Sequence, residues 1–115
     1  MPDDTRAVID RFNDTFNERD VDAIMALMTD DVVFESTGPA PDGERHEGAA
    51  AVRAAWEALF AASPDARFDA EDVFTAGDRA TVRWRYDWGD GHVRGVDVMR
   101  VRDGKVCEKL SYVKG

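Results

Sequence analysis

The sequence predicts an α+β fold, three helices covering one face of a curled antiparallel sheet. Three observations predict it. Apolar side chains recur at helical spacing in three stretches between residues 4 and 62. From Arg67 onward, strand-like runs alternate with the turn dipeptides Gly77-Asp78, Asp90-Gly91 and Asp103-Gly104. The order is helix, helix, strand, helix and then four strands, which segregates helices from most of the sheet.

Residues 4–17 form the first helix, with Val8, Ile9, Phe12 and Phe16 on one side and Asp10, Arg11, Asp14 and Asn17 on the others. Asp3, Asp4 or Thr5 caps its start. A second, shorter helix spans about 20–29, with Asp20 as N-cap and Ile24, Leu27 and Met28 as its buried stripe. Val32 to Thr37 reads as a strand, and residues 38–46, rich in Gly, Pro and charge, as a loop. A third helix spans about 47–62; Val52, Trp56, Leu59 and Phe60 mark its apolar face and Ser63-Pro64 stops it. Phe68 to Thr75 and Ala80 to Trp88 then flank Gly77-Asp78. A simple two-residue turn there sets Glu71 against Trp84, which points to a bulge or a longer loop.

The run Arg94 to Val101 places one carboxylate, Asp97, inside a strand. Tight two-residue turns at Asp90-Gly91 and Asp103-Gly104 would set Trp84 and Leu110 beside Asp97, and Tyr86 and Tyr112 beside Gly95. Those two rings can fill the gap that the glycine leaves. The Asp97 face then also carries Val82, Trp88, Met99 and Val106. The opposite face carries Arg83, Arg85, Arg94, Val96, Val98, Lys109 and Ser111, with Cys107 outward beside Arg100. A carboxyl group among apolar side chains is expected to have a raised pKa, because desolvation disfavours its charged form. The alternative is a buried partner that neutralises Asp97, or a wet sheet margin.

The 115 residues make a single domain with one core. No run of about 18 apolar residues codes for a membrane-spanning helix. The acidic start, Met-Pro-Asp-Asp, lacks the features of a signal peptide, so a cytoplasmic protein is expected. A formal charge of -9 makes nucleic acid and anionic membranes poor partners. A single cysteine excludes an intramolecular disulfide and a cysteine zinc cluster. Two distant histidines and no clustered His–carboxylate spacing offer little for a metal centre, and no Gly-rich phosphate loop or dinucleotide fingerprint calls for a cofactor.

Three groups of residues carry a family likeness: Phe12-Asn13-Asp14-Thr15-Phe16-Asn17 with Asp20-Val21-Asp22; Asp30-Asp31-Val32; and Gly95-Val96-Asp97-Val98-Met99-Arg100 with Asp103-Gly104-Lys105-Val106. In these the chain resembles the nuclear transport factor 2-like superfamily, and within it the SnoaL-like polyketide-cyclase group. The resemblance implies a cone-shaped, cystatin-like domain with a deep apolar pocket between sheet and helices. Set beside ketosteroid isomerases, Val96-Asp97 looks like the strand position of that family's hydrogen-bond-donating acid. That family's general base is an Asp following a Glu at the end of the first strand, and here Glu35 is followed by Ser36. Its oxyanion-binding tyrosine is matched by Phe12, which has no hydroxyl. A standard ketosteroid isomerase mechanism is therefore not expected.

Asp97 is the candidate acid or base of the site. His46 is a second candidate proton carrier, and Ser36 lies where the family's base would be. Phe12, Phe16 and Trp56 from the helices, with Trp84, Tyr86, Trp88, Met99, Leu110 and Tyr112 from the sheet, are the expected ligand-binding walls. The expected function is binding of a small apolar, oxygenated molecule, with cofactor-free isomerisation, cyclisation or elimination through Asp97. The alternative is a non-catalytic ligand-binding or accessory module of the same shape. Val96 and Val98, apolar at the centre of a charged face, are expected to form a homodimer interface.

Overall fold

The structure is a computed structural model that describes residues 4–114. Its elements are α1 (Asp4–Glu18), α2 (Val21–Ala26), β1 (Met28–Glu35), β2 (Arg45–Glu47), α3 (Ala49–Ala62), β3 (Arg67–Ala76), β4 (Arg79–Asp87), β5 (His92–Arg102) and β6 (Lys105–Val113). The six strands form one sheet in the order β2-β1-β6-β5-β4-β3. Neighbouring strands are antiparallel except β1 and β6, which run parallel because the chain returns to the middle of the sheet after building its far edge.

The helices sit where the apolar spacing requires. Ile9, Phe12 and Phe16 of α1, Ile24 of α2, and Val52 and Trp56 of α3 bury against Val32, Val82, Trp84, Met99 and Val106 of the sheet. Asp20 caps α2, its carboxylate accepting from the Ala23 N–H at 3.2 Å. Of the three candidate caps for α1, Asp3 lies outside the described residues, and the Thr5 hydroxyl instead donates to the Gly77 carbonyl at 2.7 Å, tying the helix to the β3–β4 turn. The expected loop over 38–46 is shorter than its composition implies. Its last two residues begin β2, and α3 starts at Ala49 rather than 47. His46 is thus a strand residue paired with Phe34.

Three hairpins set the faces of the sheet. The Gly77-Asp78 turn is a simple two-residue one, and the anticipated bulge sits at Glu71, so that Ala70 rather than Glu71 pairs with Trp84. At β4–β5 the turn is longer than expected. Asp87 pairs with His92, and the four residues between close the loop, with the Asp87 carboxylate accepting from the Gly89 N–H. Asp97 therefore lies opposite Val82, and Gly95 opposite Trp84. This slip of two residues leaves every paired side chain on its expected face and puts Trp88 in the loop.

The β5–β6 hairpin does not. Arg102 pairs with Lys105 and Val101 with Val106 as a tight turn dictates, but from there Arg100 pairs with Glu108, leaving Cys107 as the extra residue of a β-bulge. A shift of one residue exchanges the faces of everything that follows. Lys109 and Ser111 turn to the helix-covered side, and Leu110 and Tyr112 turn to the outer side, the reverse of the expected arrangement. Cys107 is itself buried rather than outward, its sulfur 3.5 Å from the Arg100 carbonyl. Burial pushes its thiol pKa up, with Arg102 and Arg100 pulling the other way.

Candidate functional site

Between the sheet and helices α1 and α3 lies an open-mouthed cavity of about 560 Å³. That volume is within the usual range for small-molecule pockets. Phe12, Phe16, Phe34, Trp56, Phe68 and Trp84 give it an aromatic wall. The rings interlock, with Phe16 edge-on to Trp56 at 5.2 Å and Phe34 against Trp56 at 4.3 Å between centroids. Small residues on α3, among them Ala51, Ala55 and Ala58, leave the space that larger side chains would fill.

The polar groups at its floor come from the row that the bulge turned inward. The Lys109 ammonium lies 3.1 Å from Oδ2 of Asp97, and both side chains are almost wholly buried. One Lys109 N–H donates to Ser111 Oγ at 3.1 Å, and the Ser111 hydroxyl donates to Asp97 Oδ1 at 2.7 Å. The Trp84 indole N–H donates to the same oxygen at 2.9 Å. The Lys109–Asp97 contact itself is an ion pair off the hydrogen-bonding direction. Phe34, Trp56 and Phe16 surround the ammonium, their ring centroids 5.0, 5.4 and 5.9 Å away, a cation–π environment on three sides. Of the two readings open for Asp97, the geometry selects the buried partner. Removing one member of such a pair typically costs about 3–5 kcal/mol, because the other is left charged in an apolar surround.

Asp97 has no exposed surface and does not line the cavity; Lys109, Ser111 and Trp84 stand between it and the space. Ser36 and His46 do line it, near the mouth. The His46 ring stacks on Phe34 at 5.7 Å and lies 3.9 Å from Glu44. The pairing order across the sheet is Met99, Lys109, Phe34, His46, so Phe34 separates the lysine from the histidine. Phe12, Phe16, Trp56, Trp84 and Tyr86 line the cavity as expected. Four other expected wall residues do not. Met99 is sealed in the core, Leu110 and Tyr112 are on the outer face because of the bulge, and Trp88 is 44% exposed in the β4–β5 loop.

Lys109, Ser111 and Asn13 are polar lining residues that the sequence reading missed, as are Thr37 and Glu44 toward the loop after β1. For the first two the signal was indirect: the expected inner face gave Asp97 no cation, an unmet charge that called for one. For Asn13 it was direct, since Asn13 stands four residues after Ile9 on the buried side of α1. Both polar atoms of its side-chain amide are buried without a hydrogen-bond partner among the described residues, as are the Trp56 indole N–H and the Tyr86 hydroxyl. All three residues line the cavity.

A family model described as a SnoaL-like domain matches residues 9–109. The chain belongs to the SnoaL-like domain family. Among solved structures, this SnoaL-like domain is similar to an NTF2-like protein of unknown function from Mesorhizobium loti, at 49% identity and a TM-score of 0.86, over 99% of this chain and 93% of that one. It is also similar to a protein from Kribbella flavida provisionally named a ketosteroid isomerase, at 24% identity and a TM-score of 0.84, over 99% and 80% of the two chains. A third similar structure is SalBIII, an epoxide hydrolase/cyclase-like enzyme of pyran ring formation in the polyether salinomycin, at 19% identity and a TM-score of 0.83, over 99% and 95%. The last two likenesses show the shared fold. A search of curated proteins finds no match. Among the described residues, no helix of the SnoaL-like domain is long and apolar enough to cross a membrane, and no group of His, Cys, Asp and Glu is placed to hold a metal ion.

Proposed function

We propose that this SnoaL-like domain binds a small, largely apolar, oxygenated molecule in the cavity and acts on it by cofactor-free acid–base chemistry that depends on the Asp97–Lys109 pair. The reaction class is isomerisation, cyclisation or elimination. The observation that carries the reading is a buried ion pair at the floor of an aromatic pocket whose wall also holds unpartnered polar groups on Asn13, Trp56 and Tyr86. Apolar walls with a few convergent polar groups are the usual make-up of a small-molecule site. Charge is also worth most where burial keeps water off it, as it does for the two side chains of this pair. The names of the Kribbella flavida protein and of SalBIII, an isomerase and a cyclase-like enzyme, lend the reaction class support by analogy of fold.

The second reading, a binding module without chemistry, is favoured by one observation. Asp97 is fully buried behind its partners, so its carboxylate is not presented to a ligand. A thermal-shift screen of apolar ketones, lactones and enones tests both readings, followed by deuterium exchange from solvent into any compound that binds. A ligand at about a hundredfold excess over its Kd stabilises by roughly 2.7 kcal/mol, a shift of several degrees. Ala58→Trp, on an exposed part of the wall, fills the cavity from outside the core and is expected to abolish the shift. A shift that survives this substitution would place the ligand elsewhere. Exchange at the carbon next to the carbonyl supports turnover, and binding without exchange supports the second reading.

A further inference from the structure

We infer that Lys109, rather than Asp97, is the group that touches the ligand, and that it holds an uncharged carbonyl oxygen. This rests on the cavity being the ligand site and specifies which chemistry it selects. Lys109 lines the cavity and Asp97 does not. An ammonium has three N–H donors. One is spent on Ser111 Oγ, and the Asp97 contact lies off the hydrogen-bonding direction, so donor capacity remains toward the space. The rings of Phe16, Phe34 and Trp56 hold the ammonium in place without consuming its N–H groups. The Asn13 amide, Trp56 indole and Tyr86 hydroxyl of the same wall are also unpartnered; the indole can only donate, while the amide and the hydroxyl can donate or accept. The ammonium, a donor only, is thus the group that asks for an acceptor on the ligand.

The charge balance says which acceptor. Lys109 and Asp97 cancel, so a carboxylate ligand would put a second anion around one ammonium that is itself almost wholly buried. The remaining titratable groups at the cavity, Glu44 and His46 at its mouth and Tyr86 on its wall, supply no fixed cation to offset that anion. The chain's net charge of -9 also repels an anion on approach. A ketone or ester carbonyl accepts the same N–H at no cost in charge. Asp97 is then a positioning residue: with Trp84 and Ser111 it fixes where the ammonium points.

Three naphthalene probes of one shape test this by titration of tryptophan fluorescence: 2-acetylnaphthalene, 2-ethylnaphthalene and 2-naphthoate. The ketone is expected to bind roughly tenfold more tightly than the hydrocarbon, the scale of one hydrogen bond to a charged donor, and naphthoate most weakly. Lys109→Met is expected to erase the ketone's advantage while leaving the hydrocarbon's affinity in place. Since that variant strands a buried carboxylate, the Asp97→Asn/Lys109→Met double variant, neutral at both positions, carries the same expectation if the single one does not fold. Asp97→Asn alone gives a readout that a merely structural role would not move: with the resident anion gone, naphthoate binding is expected to rise by about tenfold or more. A ketone that binds no better than the hydrocarbon overturns the inference and leaves the cavity reading standing. So does a ketone preference that survives loss of Lys109, or a naphthoate affinity unmoved by Asp97→Asn. A protein that binds none of the three probes overturns both.

Discussion

Gly95 shows how one missing side chain holds the floor of the site together. A Cβ built there would come within 2.2 Å of the Tyr112 carbonyl oxygen and 2.5 Å of the Trp84 ring. The gap is thus filled by the indole and a backbone carbonyl, not by the Tyr86 and Tyr112 rings that the hairpin register implied. The closeness lets Trp84 lie across its neighbour strand with its N–H on Asp97. Gly95→Ala is expected to push the indole off that carboxylate and to cost about 1–3 kcal/mol, the usual scale of overpacking. Chemical denaturation should show the loss, and near-ultraviolet circular dichroism the displaced indole. An unchanged tryptophan signal would mean that the floor is set by Ser111 and Lys109 without Trp84.

At the scale of elements, α1 is held to the sheet edge by a side chain that imitates a strand. The Asn17 amide donates to the Phe68 carbonyl, and its oxygen accepts from the Phe68 N–H at 2.9 Å, so the end of the helix completes the first residues of β3. Asn17 looked like one more solvent-side polar residue of an amphipathic helix, and nothing in its spacing marked it otherwise. Asn17→Ala leaves both Phe68 backbone groups without that partner and is expected to cost about 1–3 kcal/mol in urea denaturation. A midpoint within error of the parent would show that water replaces the amide without loss. The bulge in β6 is the other element-scale device. It was legible in β3, where a plain register put Glu71 against an indole. In β6 the plain register gave a plausible apolar inner face with Leu110 and Tyr112, and only the Asp97 charge left without a cation pointed against it.

At the scale of the whole molecule, the same bulge alters the outer face of the sheet. Phe74, Thr81, Val98 and Leu110 fall in one row across it, with Val96 beside Tyr112 in the next, and Phe74 and Tyr112 are 68% and 55% exposed. Around them run ion pairs of both signs, Arg94 with Glu71, Arg100 with Asp78 and Arg79 with Glu108. A face with apolar side chains at its centre and both signs of charge around them can pair with itself, and we propose that it does so with a second copy of the chain. Replacing Val96 and Val98 with Lys is expected to halve the mass seen by light scattering. A parent protein that is already monomeric would remove the interface.

The sequence by itself determined the class of fold, the apolar faces of α1 and α3, the cap at Asp20 and the placing of Asp97 on the helix-covered face, because each follows from periodicity or from a dipeptide read over a few residues; Met28, expected on the stripe of the second helix, instead begins β1. Tertiary structure decided what surrounds that carboxylate. A strand's side chains alternate with a period of two, so a single extra residue at Cys107 exchanges its faces, and whether the backbone takes up that residue depends on what both faces must pack against. Through that choice Lys109 became the cation at the floor of the pocket, and Leu110 and Tyr112 became outer surface.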